Sequence, residues 1–174
     1  LDTYQPEREP HVRAMIELAI GMGRIVCTLD REAAAQRDAD MIARLESGAP
    51  GLPPLRPPPL TTGCVLAGHP GAGTVFPQPT SGIGRRRLRL DDALGDGAWL
   101  VCRRPTSLAH PDVRVVHLED EGLAPFRAEL LAWLDANKAE AVLVRPDRYV
   151  FAAGDPAVLL AAWAAAMGAL QQAA

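Results

Sequence analysis

The chain has 174 residues, a net charge of −3 and a pI of about 5.8. Hydrophobic residues make up 48% and charged residues 22%, a globular composition rather than a disordered one. A general nucleic-acid-binding domain is usually basic, so the acidic balance argues against such a partner. No apolar run reaches the ~18 residues that a membrane-spanning helix needs, and three isolated cysteines do not make a disulfide framework.

The start of the chain has apolar residues at helical spacing. Residues 9–47 are predicted to form two helices or one long kinked helix. We place Pro10 in the first turn, expect the pattern to weaken at Gly21 and Gly23, and expect Asp30 to cap a second helix that ends near Gly48. The first apolar stripe consists of Val12, Met15, Ile16, Ala19 and Ile20.

A proline-rich segment follows the helices. Nine of the sixteen prolines lie between Pro50 and Pro79, and residues 49–63 read APGLPPLRPPPLTTG. Proline fixes φ and removes a hydrogen-bond donor, so extended, polyproline-like chain is expected here. We interpret it as a semi-rigid linker; an SH3-type ligand is the alternative. The sequence thus predicts a helical segment at 1–48, a linker at 49–63 and a domain at 64–174.

Strands and helices alternate after the linker. The expected order is strand, strand, helix, strand, strand, helix, with weaker strands possible at residues 64–67 and 74–76. Mixed order of this kind predicts the α/β class with a mixed sheet. The last helix is expected to be capped by Asp155 and to begin at Pro156. The predicted strands are residues 98–102, 113–118, 141–144 and 149–151, and the first helix carries Phe126, Leu130 and Leu134.

The glycine-rich segments of the chain do not match nucleotide-binding loops. A dinucleotide fingerprint needs three glycines at fixed spacing between a strand and a helix. The glycines at 21–23, 68–73 and 82–84 lack that spacing, so they predict loops or helix interior. No glycine-rich loop precedes Lys138, the single lysine, and the sequence contains no P-loop.

Metal and nucleophile sites are not indicated either. No pair of histidines or cysteines has the spacing that puts two ligands on one face. We interpret His117 as a satisfied histidine of a strand, and Cys102 as a small buried hydrophobe. No GxSxG motif is present, and we assign no catalytic, cofactor-binding or metal-binding residue.

Two groups of charged residues remain. Arg85, Arg86, Arg87 and Arg89 form a basic cluster, which the following aspartates Asp91, Asp92 and Asp96 offset. A surface loop or a salt-bridged strand edge, with weak exposed ion pairs, is the favoured interpretation. Binding of phosphate or of an acidic partner is the alternative. Arg145 and Asp147 flank Pro146 in a predicted turn. A local salt bridge or a side chain–backbone bond would hold that turn; a contact to another domain or subunit is the alternative.

Four segments in a fixed order carry a family resemblance. They are YQPEREPHVR at 4–13, GTVFPQP at 73–79, RLDDALG at 89–95 and VRPDRYV at 144–150. In this order they resemble the C-terminal part of class A FAD-dependent aromatic monooxygenases, the 3-(3-hydroxyphenyl)propionate hydroxylases and their phenol-hydroxylase-like relatives. The chain also starts at Leu1 without a methionine, so we expect a fragment of such an enzyme, cut after its flavin site.

The resemblance implies an enzyme that uses NAD(P)H, O2 and FAD to hydroxylate a phenolic substrate in the cytoplasm. The flavin supplies that chemistry. The family motifs that bind FAD have no counterpart here, so no cofactor is expected in this fragment. The resemblance also implies that residues 1–48 are the tail of the FAD domain. The rest of the chain would then be a thioredoxin-like C-terminal domain, and the fragment would have a structural or subunit-contact role. The missing FAD domain and a possible homodimer are the implied partners.

Dithiol exchange by a thioredoxin motif is excluded. A working thioredoxin places CxxC after a strand, at a helix N-terminus, whereas here the strand ends in Cys102-Arg-Arg-Pro-Thr. Two other functions are compatible with the sequence. One alternative is a stand-alone thioredoxin-like interaction module without redox activity, whose apolar helix docks on a partner or a second copy. The other is a one-cysteine, peroxidase-like protein that uses Cys102.

Overall fold

The computed structural model describes residues 4–49, 57–82 and 87–172. The chain divides into two compact units. One combines Leu1–Arg8 with Pro59–Ala174, and the other is Glu9–Pro58. Residues 50–56 of the predicted linker lie outside the described residues. The assignment of 1–48, 49–63 and 64–174 to separate domains stays a prediction.

Two helices form at the start of the chain, α1 at Tyr4–Val26 and α2 at Arg31–Glu46. The predicted cap is confirmed, because the side chain of Asp30 accepts a hydrogen bond of 2.8 Å from the backbone N–H of Ala33. The prediction for Pro10 is wrong, since α1 already includes Tyr4 and Pro10 lies inside it. The glycines at 21 and 23 do not interrupt the helix either.

The helix accommodates Pro10 through a substitute hydrogen bond. Proline has no N–H to donate to the carbonyl four residues earlier, which is that of Pro6. The hydroxyl of Thr62 donates to this carbonyl oxygen instead, at 2.7 Å. This hydrogen bond connects the start of α1 to the segment that follows Pro59.

The centre of the larger unit is a mixed four-stranded sheet, as the α/β prediction requires. The elements are β1 Thr80–Ser81, β2 Leu88–Arg89, α3 Leu90–Leu94, β3 Ala98–Cys102, β4 Val113–His117, a 3-10 helix Glu121–Phe126, α4 Arg127–Ala136, β5 Ala141–Val144, β6 Val150–Gly154 and α5 Pro156–Gln172. The strand order of the sheet is β4-β3-β5-β6. Strand β3 is parallel to β4 and antiparallel to β5, and β5 and β6 form an antiparallel pair. A two-stranded ribbon of β1 and β2 precedes the sheet.

The sheet is covered on both faces, which explains its nearly continuous apolar strands. Successive side chains of a strand point to opposite faces. Trp99 and Val101 therefore join the core beneath α3, the 3-10 helix and α4, whereas Leu100 and Cys102 join the core beneath α5. Asp155 caps α5 as predicted, accepting hydrogen bonds from the N–H groups of residues 157 and 158 at 2.9 and 3.0 Å.

The two weaker strands that the sequence allowed do not form. Residues 64–76 run along β6 as a loop and contribute isolated hydrogen bonds, such as those from Leu66 N–H to Phe151 and from Val150 N–H to Thr74. A single bridge joins Val75 to Tyr149. Pro70, between the two segments, has no N–H to donate to β6. The outer edge of β6 is nevertheless covered.

Within the described residues, no helix is long and apolar enough to cross a membrane.

The buried position of Cys102 allows a test of the interpretation as a one-cysteine, peroxidase-like protein. Its side chain is 1% exposed, and burial, with a smaller contribution from Asp120, raises the pKa of its thiol to about 11. At pH 8 we expect the variant Cys27→Ser/Cys64→Ser, which retains Cys102 alone, to be unreactive towards a disulfide reagent until denaturant is added. The variant Cys64→Ser/Cys102→Ser retains the exposed Cys27 and should react at once. Fast labelling of native Cys102 would revive the peroxidase interpretation.

Candidate functional site

The turn at residues 145–148, between β5 and β6, gathers side chains and backbone groups from four distant segments. It follows the fully buried strand β5, so Arg145 starts at the end of the core and is itself only 8% exposed. Arg148 closes the turn with a φ of 67°, an uncommon conformation for a residue with a side chain. These two arginines reach in different directions and hold different parts of the chain.

Arg145 uses all five of its N–H donors. Its guanidinium donates to both oxygens of Asp147 at 3.0 and 2.8 Å. It also donates to both oxygens of Glu7 at 2.8 Å each. The fifth hydrogen bond, of 2.9 Å, goes to the carbonyl oxygen of Cys64. Bidentate pairing of this kind is the geometry for which a guanidinium is suited.

Glu7 is the distant partner in this arrangement. It lies near the start of α1, yet it is only 7% exposed and is the one buried residue of that helix. The backbone N–H of Cys64 donates to its Oε2 at 2.9 Å. The neighbouring Arg8 donates to Asp147 at 2.6 Å and lies 5.2 Å from the centre of the Tyr149 ring. We call Glu7, Arg8, Arg145 and Asp147 the Arg145 clamp.

The charges of the clamp are balanced. Burial by itself raises the pKa of Glu7, but hydrogen bonds from Arg145 and from the N–H of Cys64 outweigh it, so the pKa lies below its usual value. Burial likewise opposes the charge on Arg145, and the hydrogen bond to Glu7 and the charge of Asp147 outweigh that effect and raise its pKa. Both groups stay ionised because each buried charge has an opposite charge in contact.

Arg148 holds the segment before β3. Its Nε donates to Asp91 at 2.8 Å, and its two terminal nitrogens donate to the carbonyls of Gly97 and Gly95 at 2.9 and 3.0 Å. The guanidinium lies over the buried ring of Trp99, 3.6 Å from its centre, as a cation–π contact. The indole N–H of Trp99 donates to the same carbonyl of Gly95, at 3.1 Å.

The backbone of the turn also binds the segment at 73–79. The N–H of Phe76 donates to the carbonyl of Arg148 at 2.8 Å, and the N–H of Gly73 donates to that of Val150 at 2.9 Å. Gln78 in turn accepts from the N–H of Asp91 at 3.2 Å. The four segments that carry the family resemblance, at 4–13, 73–79, 89–95 and 144–150, therefore meet at one turn.

Part of this site was predicted from the sequence. The local salt bridge between Arg145 and Asp147 is confirmed. The pairing with Glu7 and Arg8 was missed, because those residues are 138 positions or more away along the chain. The available signal was the Glu-Arg pair inside the segment at 4–13, which the resemblance had already singled out.

The other predicted residues have ordinary structural roles. His117 accepts a hydrogen bond from the N–H of Thr106 at 3.2 Å, as a satisfied histidine of β4. Arg89 pairs with Asp92 at 3.0 Å on the surface, as the favoured interpretation required. Arg85 and Arg86 fall outside the described residues.

The described part of the chain offers neither a metal site nor a nucleotide cradle. No group of three or more His, Cys, Asp and Glu residues there could hold a metal ion. The glycines at 21 and 23 lie inside α1, and no helix begins directly after the loop at 68–73. At neither place could the N-terminal N–H groups of a helix bind a pyrophosphate. We therefore assign no residue of this chain to a flavin or a nicotinamide.

The clamp has little capacity for chemistry of its own. A general acid or base needs a pKa near the working pH and access to a substrate atom. Glu7 has neither, because its pKa is lowered and both its oxygens accept hydrogen bonds from the protein. The arrangement is suited to holding segments together.

Comparison with known proteins shows that the chain is similar to part of several longer enzymes. The family model described as "HcaD C-terminal domain" matches residues 103–169. A probable NADH-specific resorcinol 4-hydroxylase of Rhodococcus jostii is 35% identical over an aligned length of 180 residues. The alignment covers 92% of this chain and 33% of the relative. A 3-(3-hydroxy-phenyl)propionate/3-hydroxycinnamic acid hydroxylase of Mycolicibacterium gilvum is 30% identical, covering 88% of this chain and 33% of the relative.

A relative with the same name from Burkholderia cenocepacia is also 30% identical and covers 90% of this chain and 35% of its own length. The chain thus spans about a third of the length of the curated relatives that it matches. No solved structure matches it. The predicted resemblance to the C-terminal region of aromatic-ring hydroxylases is confirmed.

The position of Gly63 beside the clamp allows a matched test. A Cβ on Gly63 would lie 2.7 Å from the Cβ of Glu7, whereas a Cβ on Gly68 meets nothing within 4 Å; both residues have φ near +85°, at 86° and 82°. Gly68→Ala should cost only the left-handed backbone strain, ~1–2 kcal/mol. Gly63→Ala should cost more in urea unfolding, because it also displaces Glu7. Equal costs would contradict a closely packed clamp.

The lowered pKa of Glu7 predicts an acid-labile contribution to stability. Its stabilising effect is complete above the unfolded-state pKa, close to 4.5, and is lost as the pH falls through the lower folded-state pKa. At pH 7, Glu7→Gln should lower the free energy of unfolding by ~3–5 kcal/mol, since it leaves Arg145 under-compensated. The deficit should shrink towards pH 3. Glu17→Gln, on the exposed part of α1, is the control, and a constant deficit from pH 7 to pH 3 would refute the assignment.

Proposed function

We propose, from the similarity of this chain to the C-terminal region of aromatic-ring hydroxylases, that it is the C-terminal part of an FAD-dependent monooxygenase. The parent would hydroxylate a phenolic substrate with NAD(P)H and O2, in the cytoplasm. In support, one relative is named an NADH-specific resorcinol hydroxylase and others are named hydroxylases of hydroxyphenylpropionate. The flavin, bound by the parent's other residues, would supply the oxidation chemistry.

The role that we propose for this chain is structural. The observation that carries it is the Arg145 clamp, which fixes the start of α1 to the α/β domain with a complete set of hydrogen bonds. In the parent, α1 would continue the FAD domain. The clamp would then join the two domains by a rigid contact, in addition to the covalent linker.

We further propose that residues 64–174 are a thioredoxin-like domain without redox activity. Two features support this: the mixed sheet with one parallel and two antiparallel neighbours, and the helices that follow β4 and β6. The place where a dithiol motif would act is altered, since a loop rather than a helix follows Cys102 and the thiol is buried. Such a thiol is poorly suited to exchange.

The helical unit at 9–58 supplies the expected contact with a partner. Helix α2 has no buried residue, and several apolar side chains of the two helices are about half exposed or more, among them Val12, Ile16, Ile20, Met41, Ile42 and Leu45. Apolar surface on this scale usually marks an interaction site. The FAD domain of the same polypeptide is the partner that we favour, and a second copy of the chain is the other.

The proposal can be tested by spectroscopy and in the longer enzyme. Purified alone, the chain should show no flavin absorbance near 450 nm, a region typical of flavins in general. In the enzyme that carries this chain as its C-terminal part, Arg145→Ala should lower the melting temperature while hydroxylation per bound flavin stays within about twofold. Arg13→Ala, at an exposed position of α1, should leave both quantities unchanged.

Two results would contradict the proposal. A flavin that copurifies with the isolated chain would place a cofactor site inside it. A loss of hydroxylation per flavin, with the melting temperature of the Arg145 variant unchanged, would give the clamp a role in the reaction. A chain expressed naturally without any flavin domain would instead favour the stand-alone interaction module.

A further inference from the structure

A groove beside the Arg145 clamp combines an apolar wall with charged groups. Its volume is about 390 Å³, within the range of small-molecule sites. Trp163, Met167 and Leu170 of α5 form the wall, and Arg8 and Asp147 stand at its polar rim. The rim is partly accessible, since the side chains of Arg8 and Asp147 are 24% and 33% exposed.

The carboxylate acceptors of this groove are largely occupied. Each carboxylate oxygen can accept about two hydrogen bonds. The Oδ2 of Asp147 accepts from Arg8 and Arg145, and its Oδ1 accepts from Arg145 and from the N–H of Tyr149. The Oε2 of Glu7 accepts from Arg145 and from the N–H of Cys64, and its Oε1 accepts from Arg145. A ligand that offers only donors would therefore find few free carboxylate acceptors there.

Donors, in contrast, remain available. Arg8 donates one hydrogen bond to Asp147, and its Nε lies 3.5 Å from Glu7; its Nη1 has no acceptor among the described residues. Trp163 is only 5% exposed, and its indole N–H also lacks a partner in that part of the chain. Buried donors without partners are uncommon in native proteins.

We propose that this groove binds a small amphipathic carboxylate. The apolar body would lie along Trp163, Met167 and Leu170, and the carboxylate would accept hydrogen bonds from the guanidinium of Arg8. Arginine suits this task, because its planar donors match the two oxygens of a carboxylate. The site shares Arg8 with the clamp, and binding of the carboxylate does not depend on the parent's reaction.

The test is a calorimetric titration of the whole chain with 3-phenylpropionate, compared with its neutral amide, 3-phenylpropanamide. The acid should bind at least about tenfold more tightly than the amide, because only the acid forms a charge-assisted pair with Arg8. Raising the salt concentration should narrow this difference, since the rim is partly exposed.

Two variants of α5 locate the site while the clamp stays intact. Leu170→Asp places a carboxylate at the groove wall and should weaken binding of the acid by about tenfold or more. Val158→Asp makes the same change at an exposed position of the same helix and should leave the affinity unchanged. Circular dichroism verifies that both variants are folded.

The proposal fails if 3-phenylpropionate shows no saturable binding at concentrations up to about 10 mM, if acid and amide bind equally, or if both aspartate variants bind like the original chain. None of these results would affect the proposed structural role of the clamp, which rests on its hydrogen bonds and is tested by the stability of the Glu7 and Gly63 variants.

Discussion

The desolvation of Arg145 is the constraint on which the rest of the larger unit depends. A guanidinium that is 8% exposed has lost most of its water, and a buried charge is tolerated only with opposite charge and hydrogen bonds in place. Two carboxylates and one carbonyl supply five acceptors for its five donors. This requirement draws Glu7 and the backbone at Cys64 to the turn after β5.

The same turn organises two further segments through Arg148 and the backbone of β6. Arg148 ties residues 91–97 to Trp99, and the strand edge binds residues 73–76. Segments that are far apart in sequence thus share one junction, and loss of a single partner would leave charges or backbone groups unpaired. The four segments that carry the resemblance to the hydroxylases all contribute residues to this junction.

Several elements were predictable because their causes are local. The strands at 98–102 and 141–144 have the predicted bounds, since apolar runs flanked by polar residues indicate buried strands. Asp30 and Asp155 cap their helices as expected from residue type alone. The predictions were wrong where the conformation of a segment depends on residues that are distant in the sequence. Pro10 lies inside α1 because Thr62 satisfies the carbonyl that proline leaves free, and the stretches at 64–67 and 74–76 bind β6 as a loop.

By itself, the sequence determined the α/β class, the order of the main elements, the local pair of Arg145 with Asp147 and the resemblance to the C-terminal region of aromatic hydroxylases. Periodicity, caps and motif order are properties of neighbouring residues, so they can be read along the chain. Only the tertiary structure decided that Glu7 and Arg8 complete the clamp. Pairing across 138 positions depends on how the sheet, the turn and α1 bring the charges together, and no local pattern encodes that distance.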